Sequence, residues 1–481
     1  MNELLKRLGI GALIGLAVAL IIYIGSNKIT FIKTILDGYE YQSYDSRMRV
    51  RVEDVKEQTI DSVIIIDIDQ NSVAATNGSW ISMLAYEEGL GNYKDWPHAI
   101  HGKLIETVSM GNPKGILFDI IFDPEKIDNY LLFQDLVREH EFKTPEMVNR
   151  VNDFLFGNNP YAFIDQTAAS QKVYHSLVFE KEDALNMMFK MDAEPEGYFY
   201  ENHLIRGIPK EIAEKLPTAD YIGNTHIELL SASVGAGSTN LPQDEDGIIR
   251  RAPTAIYYEG ANHVYPSLVM SAVIDILGIK KDGGFDYDFD NNLLRLIDTT
   301  DTVIREIPID EKGRMYVNYY GPFKTFYYLP YNYCLDPDMA EFFTDKVAFV
   351  GASLPGLLDL RNTPVQETFA GVEIHANVMH SILQNDFVSI TDKQTNLWTL
   401  LIICILLGAL VSIPSKPLYT LPVPLVAIAA WILFSYNAFF NDLKMWEIVR
   451  PVISIGGTYL GIFLYNFLIV EKDKRFLKDT F

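Results

Sequence analysis

The chain has 481 residues, of which 48% are hydrophobic, and its formal net charge at pH 7 is −23. A chain of this length is too long to fold around one ordinary hydrophobic core, so we expect two or more domains. The acidic balance argues against nucleic acid as a partner, because a nucleic-acid-binding surface needs clustered positive charge.

Four apolar runs are long enough to cross a bilayer, which takes about 20 residues of helix. We predict transmembrane helices at residues 9–25, 396–413, 418–440 and 451–470. Lys6 and Arg7 precede the first run as in a signal peptide, but no small-x-small cleavage site closes it, so we favour an uncleaved anchor. No Asp, Glu, Lys, Arg or His lies inside these runs, which argues against an ion pathway.

The positive residues near the ends of these helices predict their orientation. Most of them lie on the side of the two chain ends: Lys6, Arg7, Lys416, Lys472, Lys474, Arg475 and Lys478. Lys444 and Arg450 are a weaker signal on the other side. We therefore expect a multi-pass protein of the cytoplasmic (inner) membrane. Residues 1–8 and 471–481 are then cytoplasmic, and residues 26–395 form a large periplasmic or extracellular domain.

The outer segment cannot be held by an intramolecular disulfide bond. The chain has two cysteines, and Cys404 lies in a predicted transmembrane helix, which leaves Cys334 alone outside. The domain must therefore be stabilised by a hydrophobic core.

The first strong pattern in the outer segment is "DSVIIIDID" (residues 61–69), which predicts a buried strand. A helix is predicted from Pro97 to the breaker "GNPKG", and "ILFDIIFD" (residues 116–123) predicts a second strand. Strand, helix and strand form a βαβ unit, which implies a parallel sheet.

Residues 128–215 have mainly helical patterns, including "YAFIDQTAASQKVYHSLVF", whereas residues 220–253 predict strands joined by turns. "DKVAFVGAS" predicts another strand, and "AGVEIHANVMHSIL" a helix that leads toward the second transmembrane helix. The predicted fold class is an α/β domain with a mixed, partly parallel sheet and helices on both faces, plus four transmembrane α-helices.

The order of short motifs resembles a known family. The pieces "YDSRMRVR", "SVIIIDID", "WPHAIHGKLI", "GILFDIIF", "NLPQDEDGIIRRAP", "VNYYGP", "DKVAFVGAS", "GLLDLRNTPV" and "GVEIHANVMHSIL" follow one another between the first and second apolar runs. In this order they resemble the type-2 CHASE domain, the "cyclases/histidine kinases associated sensory extracellular" class of bacterial receptors. Two departures from the family pattern are an enlarged loop at residues 79–95 and a longer helical insert between Asp123 and Asp220.

The resemblance implies a transmembrane sensor that detects an unknown small extracytoplasmic ligand. Such receptors usually continue into a cyclase or kinase, but "EKDKRFLKDTF" closes this sequence without an output motif. We therefore expect the signal to pass to a separate cytoplasmic signalling protein, unless the sequence is a fragment of a longer chain, and we expect no enzymatic activity in this chain. The alternative is a structural or assembly module of the cell envelope that binds a protein or glycan.

Several acidic residues follow predicted strands. Open α/β sheets bind ligands at the carboxyl ends of their strands, so we take Asp67, Asp69, Asp119 and Asp359 as ligand-binding candidates. Clustered carboxylates attract a cation, an amine or a hydrogen-bonding sugar. The open alternative is that Asp67 and Asp119 cap turns or pair with Arg47, Arg250 or Arg361.

Two histidines at helix starts, His98 and His375, are further ligand-binding candidates. His380 is five residues beyond His375, about 140° around the helix, so the two cannot chelate one metal, and we assign His380 to packing or solvent. We expect no cofactor, with a divalent cation left as an alternative. In "QDEDGIIRR" we favour a turn at Asp246-Gly247 over a calcium loop, which needs more oxygen ligands.

A G-x-x-x-G pattern, Gly457 to Gly461, lies in the last apolar run. This pattern permits close helix packing, either in a homodimer or between helices of the same chain. Both interpretations stay open at this point.

Overall fold

The computed structural model describes residues 2–74, 89–124, 128–139, 144–157, 159–181, 203–354, 360–414 and 417–470. It divides into two compact units. A helical unit comprises Met1–Arg51 and Val388–Phe481, and an α/β unit comprises Val52–Phe387.

The α-helices are α1 (Asn2–Lys28), α2 (Thr30–Val52), α3 (Gln70–Val73), α4 (His98–Met110), α5 (Asp128–Glu139), α6 (Pro145–Gly157), α7 (Ala162–Ser170), α8 (Lys210–Ala213), α9 (Ile227–Ala232), α10 (Leu268–Leu277), α11 (Gly371–Gln384), α12 (Lys393–Val411), α13 (Pro422–Asp442) and α14 (Val449–Tyr465). Short 3-10 helices lie at Tyr93–Asp95, Tyr333–Leu335, Pro337–Phe343 and Pro417–Thr420, and a π-helical turn at Asn466–Val470 continues α14.

The strands are β1 (Ile60–Ile68), β2 (Gly115–Phe118), β3 (Val173–Glu180), β4 (Thr218–Ala219), β5 (Tyr221–Asn224), β6 (Gly235–Ser238), β7 (Arg251–Pro253), β8 (Ala255–Tyr258), β9 (His263–Pro266), β10 (Phe285–Asp288), β11 (Leu293–Ile297), β12 (Val303–Pro308), β13 (Arg314–Tyr316), β14 (Phe326–Pro330), β15 (Val347–Ala352), β16 (Leu360–Arg361), β17 (Phe369–Ala370), β18 (Ser389–Ile390) and β19 (Lys444–Met445).

The main sheet of the α/β unit has seven strands in the order β14-β1-β15-β2-β3-β5, with β6 also paired to β3. All of these pairs are parallel except β3 with β5. The polypeptide passes from β1 through α4 to β2, and β15 lies between these two strands. The predicted mixed, partly parallel sheet and the βαβ unit are therefore confirmed.

Side chains of the central strands alternate between the two faces of the sheet. On one face, Ile64 and Ile66 pack with Leu104 and Ile105 of α4 in one buried core cluster. On the other face α11 comes so close that a Cβ on Gly351 would lie 2.7 Å from the side chain of Val372. Helices therefore cover both faces, as predicted.

Two local expectations have different outcomes. The segment "VYHSLVF" was expected to be helical, but it forms the buried strand β3 beside β2. Its β-branched and aromatic residues favour a strand once a neighbouring strand is available. The turn at Asp246-Gly247 is confirmed, because Gly247 has a φ of +81° and its amide donates to the carbonyl of Asp244.

The helical unit contains four helices that are long and apolar enough to cross a membrane: Leu4–Lys28, Lys393–Val411, Pro422–Asp442 and Val449–Leu468. α1 packs against α12 and α14, and its glycines allow the closest approach. A Cβ on Gly15 would lie 2.1 Å from the carbonyl oxygen of Cys404, and one on Gly408 would lie 2.2 Å from that of Gly11.

Gly457 and Gly461 face Val18 and Ile14 of the same chain. This G-x-x-x-G pattern is therefore used for packing within the chain. A homodimer stays a prediction that no longer draws support from it.

Candidate functional site

Asp67 lies at the carboxyl end of β1 and is 3% exposed. Its carboxylate accepts hydrogen bonds from the amide of Ser353, at 2.8 Å, and from the Ser353 hydroxyl, at 2.5 Å. Burial raises the pKa of Asp67 to about 6, although the bonds from Ser353 oppose this rise. Asp67 thus holds the loop that follows β15 and pairs with none of the arginines considered from the sequence.

Asp69 caps the short helix α3. Its carboxylate accepts from the amide of Ser72 at 2.8 Å and from the Ser72 hydroxyl at 2.7 Å. The Ser72 hydroxyl also lies 3.2 Å from the carbonyl of Asp67. Asp69 is therefore a local capping residue, a role that the sequence analysis considered for Asp67 and Asp119 but not for Asp69.

Glu373, in the first turn of α11, is the buried acid that the sequence analysis did not select. Its carboxylate is fully buried and accepts from the amides of Lys324 and Thr325, at 2.9 and 3.0 Å, and from the Tyr328 hydroxyl at 2.9 Å. Burial raises its pKa to about 7, against the effect of these hydrogen bonds. The sequence signal that could have identified this residue is a glutamate in the otherwise apolar first turn of a predicted helix.

Asp67, Glu373, Tyr328 and Lys324 form one polar group, which we call the acidic cluster. Tyr328 of β14 pairs with Ile65 of the neighbouring strand β1. Asp67 is two residues beyond Ile65, so Tyr328 and Asp67 both point to the face of the sheet that α11 covers. The Lys324 ammonium lies 5.8 Å from the centroid of the Tyr328 ring, and its charge lowers the pKa of Asp67. Two carboxyl groups with raised pKa values thus lie near one phenol, that of Tyr328, and the half-buried Lys324 cation acts on one of them, Asp67.

His98 lies on the opposite face of the sheet, at the start of α4. It belongs to a histidine cluster, which comprises His98, His101, His175 and His226 around Phe118, Phe122 and Phe163. The rings of His98 and His226 are stacked with centroids 5.9 Å apart, and His175 stacks on Phe118 at 5.2 Å. His101 shares a hydrogen bond of 2.7 Å with the hydroxyl of Tyr331.

Burial keeps the histidine cluster neutral. It lowers the pKa of His98 to about 4 and that of His175 to about 3, and neighbouring histidines add to both effects. Neither ring nitrogen of the buried His175 has a hydrogen-bond partner among the described residues. These histidines line an aromatic core and do not form a charged site at neutral pH.

The remaining candidates are Asp119, His375 and Asp359. Asp119 is half-buried directly after β2, and its amide donates to the carbonyl of Val350 at 2.9 Å. His375 is buried in α11, about 200° around the helix from Glu373, so the two side chains leave on different faces. Asp359 lies outside the described residues. His380 bonds to the Ser62 hydroxyl at 2.8 Å and packs on Tyr320, which fits its assignment to packing.

Within the described ranges, no group of three or more His, Cys, Asp or Glu side chains could hold a metal ion. Asp244 and Asp246 of the former calcium candidate are bound by Arg250, at 3.2 and 2.7 Å. Hydrogen bonding from Arg250 lowers the pKa of Asp246. Binding of a divalent cation stays a prediction, for which the described residues offer no set of ligands.

Comparison with known proteins gives one match. A family model, the CHASE2 domain, matches residues 13–413. No curated protein and no solved structure matches the chain. The match covers most of the sequence, from within α1 to just beyond α12, and it agrees with the motif order seen in the sequence. The chain belongs to the CHASE2 domain family.

Proposed function

We propose that the protein is a bacterial transmembrane sensor that detects an extracytoplasmic signal and passes it through its membrane helices to a separate cytoplasmic partner. The observation that carries this proposal is the CHASE2 match itself, since CHASE2 is a family of sensory extracellular domains. The match begins inside one apolar helix and ends after another, so the sensory domain lies in the chain between candidate membrane spans.

The contacts of α2 support the transmission step. This helix leads from α1 into the α/β unit, and Glu40 on it accepts hydrogen bonds from the amides of Ile448 and Val449, at 3.0 and 2.7 Å, where α14 begins. Arg450 bonds to Asp37 at 2.5 Å. The segment that enters the sensory domain is therefore attached to the start of the last span, so a displacement of α2 would be felt by α14.

We infer an inner-membrane location with both chain ends in the cytoplasm and the α/β unit outside. The support is the distribution of positive residues around the spans. The antiparallel packing of α1 with α14, seen in the contacts of Gly457 with Val18 and of Gly461 with Ile14, agrees with an even number of crossings.

A ligand screen on the full chain in detergent tests the sensor proposal. A small molecule that binds the native state raises the melting temperature according to its concentration and affinity. We expect a stabilising hit that is lost in Asp67→Ala and kept in the control Asp54→Ala, an exposed position. A hit that survives Asp67→Ala would remove Asp67 from the ligand site but keep the sensor.

The second candidate function, an envelope module that binds a protein or glycan, is favoured by one observation. Asp67 and Glu373 are closed off from solvent, so a small ligand would have to open the domain to reach them. A screen without any hit, together with stable co-purification of an envelope protein, would contradict the small-molecule sensor. That the chain has no catalytic activity of its own stays a prediction.

A further inference from the structure

The first half of α2 and the residue before it carry an unpartnered apolar stripe. Ile29, Phe31, Ile32, Ile35 and Tyr39 are exposed by 51%, 73%, 37%, 42% and 55%. The last three are spaced by three and four residues, so they share one side of the helix. We call these five side chains the α2 stripe. Thr34, which is two positions beyond Ile32 and about 200° further around the helix, is exposed and polar.

From Leu36 onward, α2 packs on the helical unit with a different side. Leu36, Glu40, Tyr44 and Met48 are buried at a spacing of four. Tyr44 contacts the ring of Phe439 with centroids 5.9 Å apart, and Ser46 bonds to the hydroxyl of Tyr436 at 3.0 Å. These contacts attach α2 to the end of α13, as Glu40 attaches it to the start of α14.

α2 cannot continue straight from α1. Val18 of α1 lies opposite Gly457. The first residues of α14 lie about 12 Å before Gly457 along the helix axis. Because α1 and α14 are antiparallel, these residues are level with residues near position 26 of α1. In one straight helix Glu40 would lie about 20 Å beyond this level, out of reach of the α14 amides that it binds. The chain must bend near Ile29, between the two helices, and α2 crosses the ends of α14 and α13.

A helix that crosses the end of a membrane bundle lies where the hydrocarbon meets the headgroups. The exposed side chains Leu20, Ile21 and Ile24 of α1 lead directly to the α2 stripe, so the lipid-facing surface of the span is continuous with it. Five partly exposed side chains offer too little area for a stable dimer, which buries roughly 800 Å² per partner. Lys28 and Lys33 flank the stripe and can reach headgroup phosphates.

We propose that the first half of α2 is an interfacial helix, with the α2 stripe immersed in the lipid at the membrane surface and Thr34 facing water. Such helices bind through buried apolar area and respond to the packing of the lipid. The helix that enters the sensory domain is then held by lipid along the α2 stripe and by α13 and α14 along the side that packs on them. The proposal needs membrane insertion of the helical unit but not the sensor role.

Spin labelling tests it in the full chain, placed in phosphatidylcholine nanodiscs. Nitroxide labels are attached at Ile32→Cys, Ile35→Cys and Tyr39→Cys, with Thr34→Cys as the matched control. The native cysteines, Cys334 and Cys404, are buried. We expect the three stripe labels to collide more with oxygen than with a water-soluble nickel complex, and the label at position 34 to show the reverse.

Two results would overturn the proposal. Stripe labels that collide with nickel as freely as the control would place α2 in water. Stripe labels shielded from both reagents, with dipolar broadening between copies or without it, would place a protein surface on the stripe. As a second readout, Phe31→Trp should gain quenching by brominated phosphatidylcholine over the parent protein, and no gain would count against immersion. Neither readout uses ligand or output, so a failure leaves the sensor proposal standing.

Discussion

A buried carboxylate is costly unless hydrogen bonds replace its lost hydration. Glu373 meets this requirement through backbone amides at the start of β14 and the Tyr328 hydroxyl. Its helix is thereby tied to a strand that precedes it by more than forty residues. Asp67 likewise ties β1 to the loop after β15, because its carboxylate accepts a hydrogen bond from the amide of Ser353. The carboxylates of the acidic cluster therefore join α11 to β14 and β1 to the loop after β15.

The acidic cluster predicts how stability depends on pH. The pKa of Glu373 is raised from 4.5 to about 7, so the folded state holds this proton more tightly than the unfolded state. The resulting stability is fully present below pH 4.5 and is lost as the pH rises through about 7. In Glu373→Gln we expect the melting temperature of the full chain in detergent to decline less between about pH 5 and 8.

The control for this measurement is Glu367→Gln, an exposed position. It should retain the full pH dependence. Asp67, with its pKa raised to about 6, contributes with the same sign, so part of the slope should remain in the Glu373 variant. An unchanged slope in Glu373→Gln would show that this carboxyl is ionised in the folded protein.

A second residue-scale prediction concerns the buried ion network of the "DEDGIIRR" segment. Asp244 is bound by Arg250 and Arg251, and all three side chains are largely buried. Removing one member of such a network leaves buried charge without compensation, at a cost of about 3–5 kcal/mol. Asp244→Ala should therefore lower the free energy of unfolding by about that amount, measured by denaturant titration. The exposed neighbour Glu245→Ala should be within about 0.5 kcal/mol of the parent.

At the scale of elements, the helical unit is built on close contacts between backbones. From the sequence, the G-x-x-x-G pattern in the last apolar run predicted close helix packing. In the structure, Gly11 and Gly15 of α1 approach α12 more closely than the glycines of that pattern approach α1. Small residues let helices approach in a bilayer, where no hydrophobic effect drives their association. The partner of each glycine follows from the arrangement of the four helices.

This arrangement predicts an asymmetric response to two equal substitutions. Gly408→Leu places a side chain against the backbone of Gly11. A Cβ added to Gly456, by contrast, would have no atom within 4 Å. We expect Gly408→Leu to destabilise the helical unit by about 1–3 kcal/mol and Gly456→Leu to be nearly neutral. Thermal unfolding of the two variants in the same detergent compares them. Equal losses would mean that α1 and α12 do not approach each other at these glycines.

At the scale of the whole molecule, the central question is which side of the membrane each segment occupies. We propose that both chain ends are cytoplasmic, because most of the positive residues around the four candidate spans lie on the side of the termini. An engineered cysteine at position 3 or 475 should therefore resist a membrane-impermeant thiol reagent in intact cells. One at Glu57, which is exposed in the α/β unit, should react after outer-membrane permeabilisation. Labelling of position 3 or 475 from outside would refute this orientation.

Much of the element order could be predicted because hydropathy and periodicity are local properties. The run "SVIIIDID" predicts a buried strand, and the helix at Pro97 follows from its breakers. The strand β3 was missed because "VYHSLVF" has residues compatible with either state, and only the neighbouring β2 decides between them. The position of Asp67 at a strand end was predictable, whereas its bond to Ser353, more than 280 residues away, was not.

The sequence by itself determined that this protein has four helices long and apolar enough to cross a membrane and an α/β domain with an acidic composition, since length, charge and apolar runs are properties of single segments. Its ordered motifs also indicated the CHASE2 family, which the family match confirms. Only the tertiary structure decided that Asp67 and His98 lie on opposite faces of the sheet, that Glu373 and Asp67 both lie near Tyr328, and that α2 bends across the helix ends. Burial and hydrogen-bond partners depend on residues far apart in the chain, and no local pattern specifies them.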